Sequence, residues 1–227
     1  MMKLSFAAVW RVVVLLVVVC GSTVHCIAER DKVASNEAPK AAVATKEVVS
    51  GEPGEGQRLT VDAAASRVGW VGKKVTGQHN GAVPVSGGHV VLTEGVITSG
   101  RLEMDMTGIT CEDIKNPKSN AKLVRHLKDD DFFAADKFPT ANFTFEETTT
   151  DGENYVLKGM LTIKGIAHSV EVPVKIIPAK GSWRADGKVM VDRTRWGITY
   201  KSGKFFKKLG DKIIYDEFEL ELQIVAR

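Results

Sequence analysis

The chain has 227 residues, 44% hydrophobic and 26% charged, ordinary values for a soluble domain. A formal net charge of +3 is too small to argue for a nucleic-acid partner, and no nucleic-acid-binding motif accompanies it. Three cysteines, Cys20, Cys26 and Cys111, are too few for a disulfide framework.

The N-terminus reads as an export signal over residues 1–28. Lys3 and Arg11 supply a basic start, Val12 to Val19 an apolar core, and Gly21, Ser22 and Ala28 small residues after it. The apolar run is short for a membrane span, which favours a signal over an anchor. Cleavage after Ala28 removes Cys20 and Cys26. The alternative is lipid modification of Cys20 and membrane association through it, although Val19 lacks the small side chain such processing prefers. Residues 29–57 read as a disordered linker. They are rich in Ala, Glu, Lys, Gly and Ser, hold Pro39 and Pro53, and contain no aromatic residue to bury.

From residue 58 to 227 the texture is that of one all-β domain. Short alternating runs are separated by Gly, Asn and Asp, and about eight strands are predicted. They run over Leu59–Val75 (broken near Ala63–Ser66), Gly88–Glu94, Val96–Met106, Ala141–Thr148, Asn154–Lys164, Ser169–Ile177, Ser182–Asp192 and Lys212–Val225. In the last run Phe218, Leu220, Leu222 and Ile224 alternate with Glu217, Glu219, Glu221 and Gln223, so one face is dry and one wet. Repeated strand after strand, that pattern is a closed antiparallel barrel. Glu94-Gly95, Asp151-Gly152 and Lys164-Gly165 supply tight turns. Asp186-Gly187 lies inside a run and reads as a bulge or a hairpin. One segment differs. Ser119–Asp129 carries Leu123, Val124 and Leu127 at helical spacing, with Pro117, Ser119 or Asn120 to start it. The loop after it is expected to drop Phe132, Phe133 and Phe138 onto the barrel as a plug or a gate.

No catalytic constellation stands out. His79, His89, His126 and His168 are scattered without the close His or Cys spacing of a zinc site, so neither a metal nor a cofactor is expected. Cys111 reads as a buried thiol, and Asp129–Asp131 as a solvated helix end. Two features carry more weight. Arg193 and Arg195, followed by Trp196, Tyr200 and the lysines of the next loop, are either a solvated segment or a cationic rim for a polar head group. The lumen itself mixes large residues, among them Trp70, Phe143, Tyr155, Trp183 and Phe218, with Gly100, Gly159 and Ala185. Such a mix either packs a core or leaves a tapering pocket.

The domain resembles the YceI-like family of bacterial envelope proteins. The resemblance rests on VGWVGKKVTGQHNG (Val68–Gly81), HLKDDDFFAADKFPTANFTF (His126–Phe145), LKGMLTIKGIAHSVEVPVKI (Leu157–Ile176) and the run from Asp192 to Val225. It implies an extended eight-stranded antiparallel, lipocalin-like β-barrel with a short helical insertion, no enzymatic role, and an isoprenoid-type amphiphile, polyprenyl or quinone, held in the barrel. The residues expected to line that tunnel or its mouth are Trp70, Leu102, Met104, Phe143, Phe145, Tyr155, Leu157, Leu161, Ile163, Val172, Val174, Trp183, Val189, Trp196, Phe218, Leu220 and Leu222. Arg193, Arg195 and Tyr200 are the expected head-group contacts. The resemblance also implies a periplasmic or secreted protein; a homodimer is a further expectation. The rival reading is an envelope stress or interaction protein whose barrel is a packed core with no lipid.

Overall fold

The computed structural model describes residues 47–50, 56–179 and 181–227. The export signal and Cys20 lie outside them. All belong to one compact unit, Val43–Arg227. Eleven strands form: β1 (Glu47–Ser50), β2 (Gln57–Thr60), β3 (Arg67–Lys74), β4 (Gly77–Val83), β5 (Val85–Thr93), β6 (Val96–Asp105), β7 (Thr140–Asp151), β8 (Asn154–Ile163), β9 (Ile166–Ala179), β10 (Ser182–Asp192) and β11 (Ile214–Ala226). All pairings are antiparallel, in the order β2-β5-β6-β7-β8-β9-β10-β11-β3-β4, with β1 added to β7.

Eleven segments still make an eight-position ring. β2 and β3 are two pieces of one long strand, and they pair with β5 and β4, the two pieces of the next, which meet at Pro84. The ring closes because β3 pairs along β11 while the end of β2 returns to the end of β11. There Thr60 and Arg227 exchange backbone hydrogen bonds of 2.8 and 2.9 Å, and Asp62 N–H donates to Val225 O at 2.8 Å. The predicted break near Ala63–Ser66 is therefore real, and Gly77–Val83 is an additional strand segment. β1 lies inside the stretch that composition reads as linker.

The turns follow their chemistry. Glu94 and Gly95 both have positive φ, as do Lys164 and Gly165, the geometry of a two-residue hairpin with the twist of its strands. Asp186-Gly187 makes neither turn nor bulge: Ala185, Asp186 and Gly187 pair in unbroken register with Ile224, Gln223 and Leu222. Gly187 is there because a Cβ would lie 2.5 Å from Pro173 O. The same close approach occurs at Phe145, which is flanked in register by Gly100 on β6 and Gly159 on β8. A Cβ on Gly100 would meet the Phe145 ring at 2.8 Å, and one on Gly159 would meet Thr144 O at 2.2 Å.

Helix α1 (Pro117–Lys128) begins where Asn116 Oδ1 accepts from Ser119 N–H at 3.0 Å, with proline in the first turn. Its Leu127 is buried, and Phe132 after it is buried against the barrel. Phe133 is half-buried, but Phe138 stays exposed, so two of the three expected rings seat. Across from α1, the connection from β10 to β11 is clamped by Arg193. Its guanidinium donates to Tyr215 O (3.1 Å), Ile198 O (2.8 Å) and Ile214 O (3.0 Å) and lies 3.4 Å from Asp216. Burial pulls its pKa below the ordinary arginine value, with Asp216 and Asp192 opposing.

Two outcomes test these packings. Gly159→Ala should lower stability by about 1–3 kcal/mol through overpacking, whereas Gly87→Ala, with open space at the Cβ, should change it little; urea midpoints decide. Arg193→Ala should cost on the order of 3 kcal/mol, because it strands buried carbonyls and Asp216. Arg195→Ala, at an exposed site, should stay within about 0.5 kcal/mol.

Candidate ligand-binding lumen

The inward faces enclose three small chambers in file along β11. The first, about 70 Å³, is bordered by Ile224 and Leu222 and lined by Leu102, Phe143, Phe145, Leu157, Val172 and Val174 among others. The second, about 40 Å³, is bordered by Leu220 and Phe218 with Trp70, Met104, Leu161 and Ile163. The third, about 70 Å³, is bordered by Phe218 and Ile214 and roofed by Leu127, Phe132 and Phe133. Every side chain lining the second chamber is hydrocarbon, thioether or aromatic.

Period-2 reading therefore places thirteen of the seventeen expected tunnel residues on a chamber wall. Tyr155, Trp183, Val189 and Trp196 stand outside these three linings. Trp196 has 0% exposure and spends its indole N–H on Leu161 O at 3.2 Å, so it is a core anchor. Tyr155 is buried, and it also borders an outer groove with Lys175 and Lys188.

The expected head-group residues do not assemble into a rim. Arg193 faces the third chamber, but its donors are committed to backbone carbonyls. Arg195 lies on the outer side, donating to Ser169 O and stacking 5.2 Å from the Trp196 ring centroid. Tyr200 belongs to the lid. It packs edge-on against His126 at 4.7 Å, and His126 in turn packs against Phe132 at 4.9 Å.

A polar groove lies on the outer wall, where His89 and Arg101 pair on the face opposite the inward Val90 and Gly100. β6 and β7 pair as far as Gly100 and Phe145; beyond that level β7 turns its edge to β1. At this fork sits a cleft of about 440 Å³ lined by Arg58, His89, Ser99, Arg101, Thr144 and Glu146. Phe145 lies between it and the first chamber. Arg101 is paired to Glu103 at 2.7 Å. Partial burial lowers the His89 pKa, Arg58 and Arg101 lower it further, and Glu103 opposes them, so His89 is a neutral donor and acceptor at neutral pH. His89 and Arg101 face each other across the β5–β6 hairpin, and Arg58 joins them from β2, a placement given by the folded register.

No group of three or more His, Cys, Asp or Glu among the described residues is arranged to hold a metal. Cys111 is buried, and its thiol donates to Asp113 Oδ1 at 3.3 Å; burial raises its pKa. His79 Nδ1 meets the other oxygen of Asp113 at 2.8 Å, so the carboxylate separates imidazole from thiol and the trio is no nucleophile–base pair.

Comparison with known proteins agrees with this architecture. BcnA of Burkholderia cenocepacia superposes with a TM-score of 0.61 at 25% identity, over 74% of this chain and 99% of that one. A polyisoprenoid-binding domain from Saccharophagus degradans, implicated in plant cell wall breakdown, superposes with a TM-score of 0.57 at 10% identity over 74% of this chain and 97% of that one, a likeness of fold. In sequence, a UPF0312 protein of Photorhabdus laumondii is 33% identical over 66 residues, which span 29% of this chain and 34% of that protein. The protein YceI of Escherichia coli is 26% identical over 93 residues, 37% of this chain and 49% of that protein. The YceI-like domain model matches residues 59–226. An antiparallel barrel with an apolar lumen, one helical insertion and this match over nearly the whole folded region make the chain a member of the YceI-like family.

Proposed function

We propose that the barrel binds an isoprenoid-type amphiphilic lipid, a polyprenyl compound or an isoprenoid quinone, and carries or sequesters it in the bacterial envelope without acting on it chemically. The observation that carries this reading is the file of chambers whose middle member is wholly apolar. A hydrocarbon chain gains on the order of 0.8 kcal/mol per buried methylene and needs no polar partner along its length. The polyisoprenoid-binding neighbour of the same fold supports the ligand class.

The chambers are small. One of about 70 Å³ holds roughly two water-sized groups, so a long chain enters only as the side chains between chambers turn aside. Met104 and Met106, on the wall of the narrowest chamber, are suited to this because an unbranched thioether changes rotamer at little cost. The small volume also favours one rival, a packed barrel with no lipid.

Native mass spectrometry of chain purified from its exporting host separates the two. Lipid binding predicts an extractable prenyl lipid at about one per barrel, and Leu222→Trp in the first chamber should sharply reduce that occupancy. A lipid-free native mass, together with failure to take up a prenylquinone, would leave the packed barrel; Leu222→Trp would then only destabilise, by about 1–3 kcal/mol.

A further inference from the structure

Alternate connections of an up-and-down barrel gather at one end. Here the β3–β4 turn, the β6–β7 connection with α1, the β8–β9 turn and the β10–β11 connection meet. Lys164 Nζ donates to Asp130 O, Val75 N–H donates to Ile213 O, and His126 packs on Tyr200. Nine large hydrophobic side chains are exposed among the described residues, and six of them, Val75, Phe138, Ile166, Phe205, Phe206 and Tyr215, lie at this end. Met160 and Met190 lie on the outer wall, and only Ile177 lies toward the other end. The turns there are polar or acidic, with Glu94-Gly95 and Asp151-Gly152-Glu153.

The β10–β11 connection is the most exposed part of this surface. Phe205 is 57% and Phe206 47% exposed, with Tyr215 at 50% beside them. These rings are held out by an ordered turn. Ser202 is fully buried, its carbonyl accepts from the N–H groups of Phe205 (3.2 Å) and Phe206 (3.0 Å), and its hydroxyl accepts from Lys204 N–H at 3.2 Å. Lys201, Lys204, Lys207, Lys208 and Lys212 flank the pair in sequence, against Asp211 in the same connection. Lys204 is neutralised by Asp192 at 2.8 Å and Asp216 at 3.5 Å. The neighbouring lid carries Asp129, Asp130, Asp131 and Asp136, of which Asp130 pairs with Lys137 and Asp131 with His126. Lys207 and Lys208 have no ion pair among the described residues, and aromatic rings beside such lysines are the composition of a surface that sits at a lipid interface, rings among the acyl boundary and ammonium groups among the phosphates.

We propose that this end of the barrel docks onto an anionic membrane surface, with Phe205 and Phe206 entering the interface and Lys207 and Lys208 meeting lipid phosphates. Docking would set the lid formed by α1 and Phe132, and the third chamber beneath it, against the bilayer. The inference stands on the surface alone and does not require an occupied lumen. Adjacent exposed rings and lysines, Phe205-Phe206-Lys207-Lys208, suit a phospholipid surface, where acyl boundary and phosphates lie side by side.

Hydrogen exchange of the full chain tests it, measured alone, with phosphatidylcholine vesicles, and with vesicles that also contain phosphatidylglycerol. The expected result is protection of the amides of residues 203–210 on anionic vesicles only, reversed by added salt. Phe205→Ser combined with Phe206→Ser should abolish that protection, and exchange at Glu94-Gly95 and Gly152-Glu153 should stay unchanged. Absence of protection, equal protection on both vesicle types, protection at both barrel ends alike, or protection that survives the double substitution would each overturn docking. None of these outcomes bears on the native mass of the ligand, which tests the lumen separately.

Discussion

The structure depends on one packing constraint, the passage of Phe145 between two glycines. β6 and β8 curl inward over β7 at the level where Gly100 and Gly159 face the lumen, and no side chain fits at either position. A sheet of eight positions closes only if it bends sharply somewhere, and inward glycines beside an aromatic ring allow that bend without opening a void. Consequences spread from there. The β7–β8 register slips just past Phe145, β6 and β7 separate, and the edge of β7 that β6 leaves is taken by β1. The cleft with Arg58, His89 and Arg101 exists because the wall parts at that level, and Phe145 is the side chain between cleft and first chamber.

At the opposite end the closure is of another kind. The lid is held by ring contacts among His126, Phe132 and Tyr200 and by Leu127 against the barrel, rather than by a deep ion pair. Each such contact is worth about 0.5–1.5 kcal/mol beyond its buried area. A lid of this strength separates from the barrel far more cheaply than a strand leaves the sheet. The Arg193 clamp does the reverse next door: its bonds to three carbonyls fix the β10–β11 connection, so the exposed rings of Phe205 and Phe206 ride on a rigid base.

Strand alternation was legible wherever one face is continuously dry, as in β11, where Phe218, Leu220, Leu222 and Ile224 all pack inward. It failed at β4, although the inward Gly100 and Gly159 did not hide β6 and β8, whose alternating runs are longer. β4 reads GQHNGAV, its wall positions include Gly81, and nothing in that composition distinguishes it from a turn. Asp186-Gly187 misleads for the same reason, since turn chemistry and close strand approach both select glycine. Arg193 was legible as a special residue but not in its role. It follows the last alternating residue of β10, and the short helical turn Arg193–Trp196 rotates it inward, a change of period that spacing alone does not reveal. The placement of Arg58 beside His89 and Arg101 is given by the folded register, because cross-strand neighbours are not sequence neighbours.

A lumen walled by hydrocarbon discriminates poorly along its length. One methylene more or less is worth only about 1–3 kcal/mol, and an apolar wall offers no penalty that singles out one prenyl lipid from another. On the lipid-binding reading, then, the chambers select for a chain that is long, thin and flexible. The polar side chains near the lumen add little choice among such chains, because Arg193 is committed to backbone carbonyls and Arg58, His89 and Arg101 stand on the outer wall. Chain shape, rather than head-group chemistry, is what such a lumen reads.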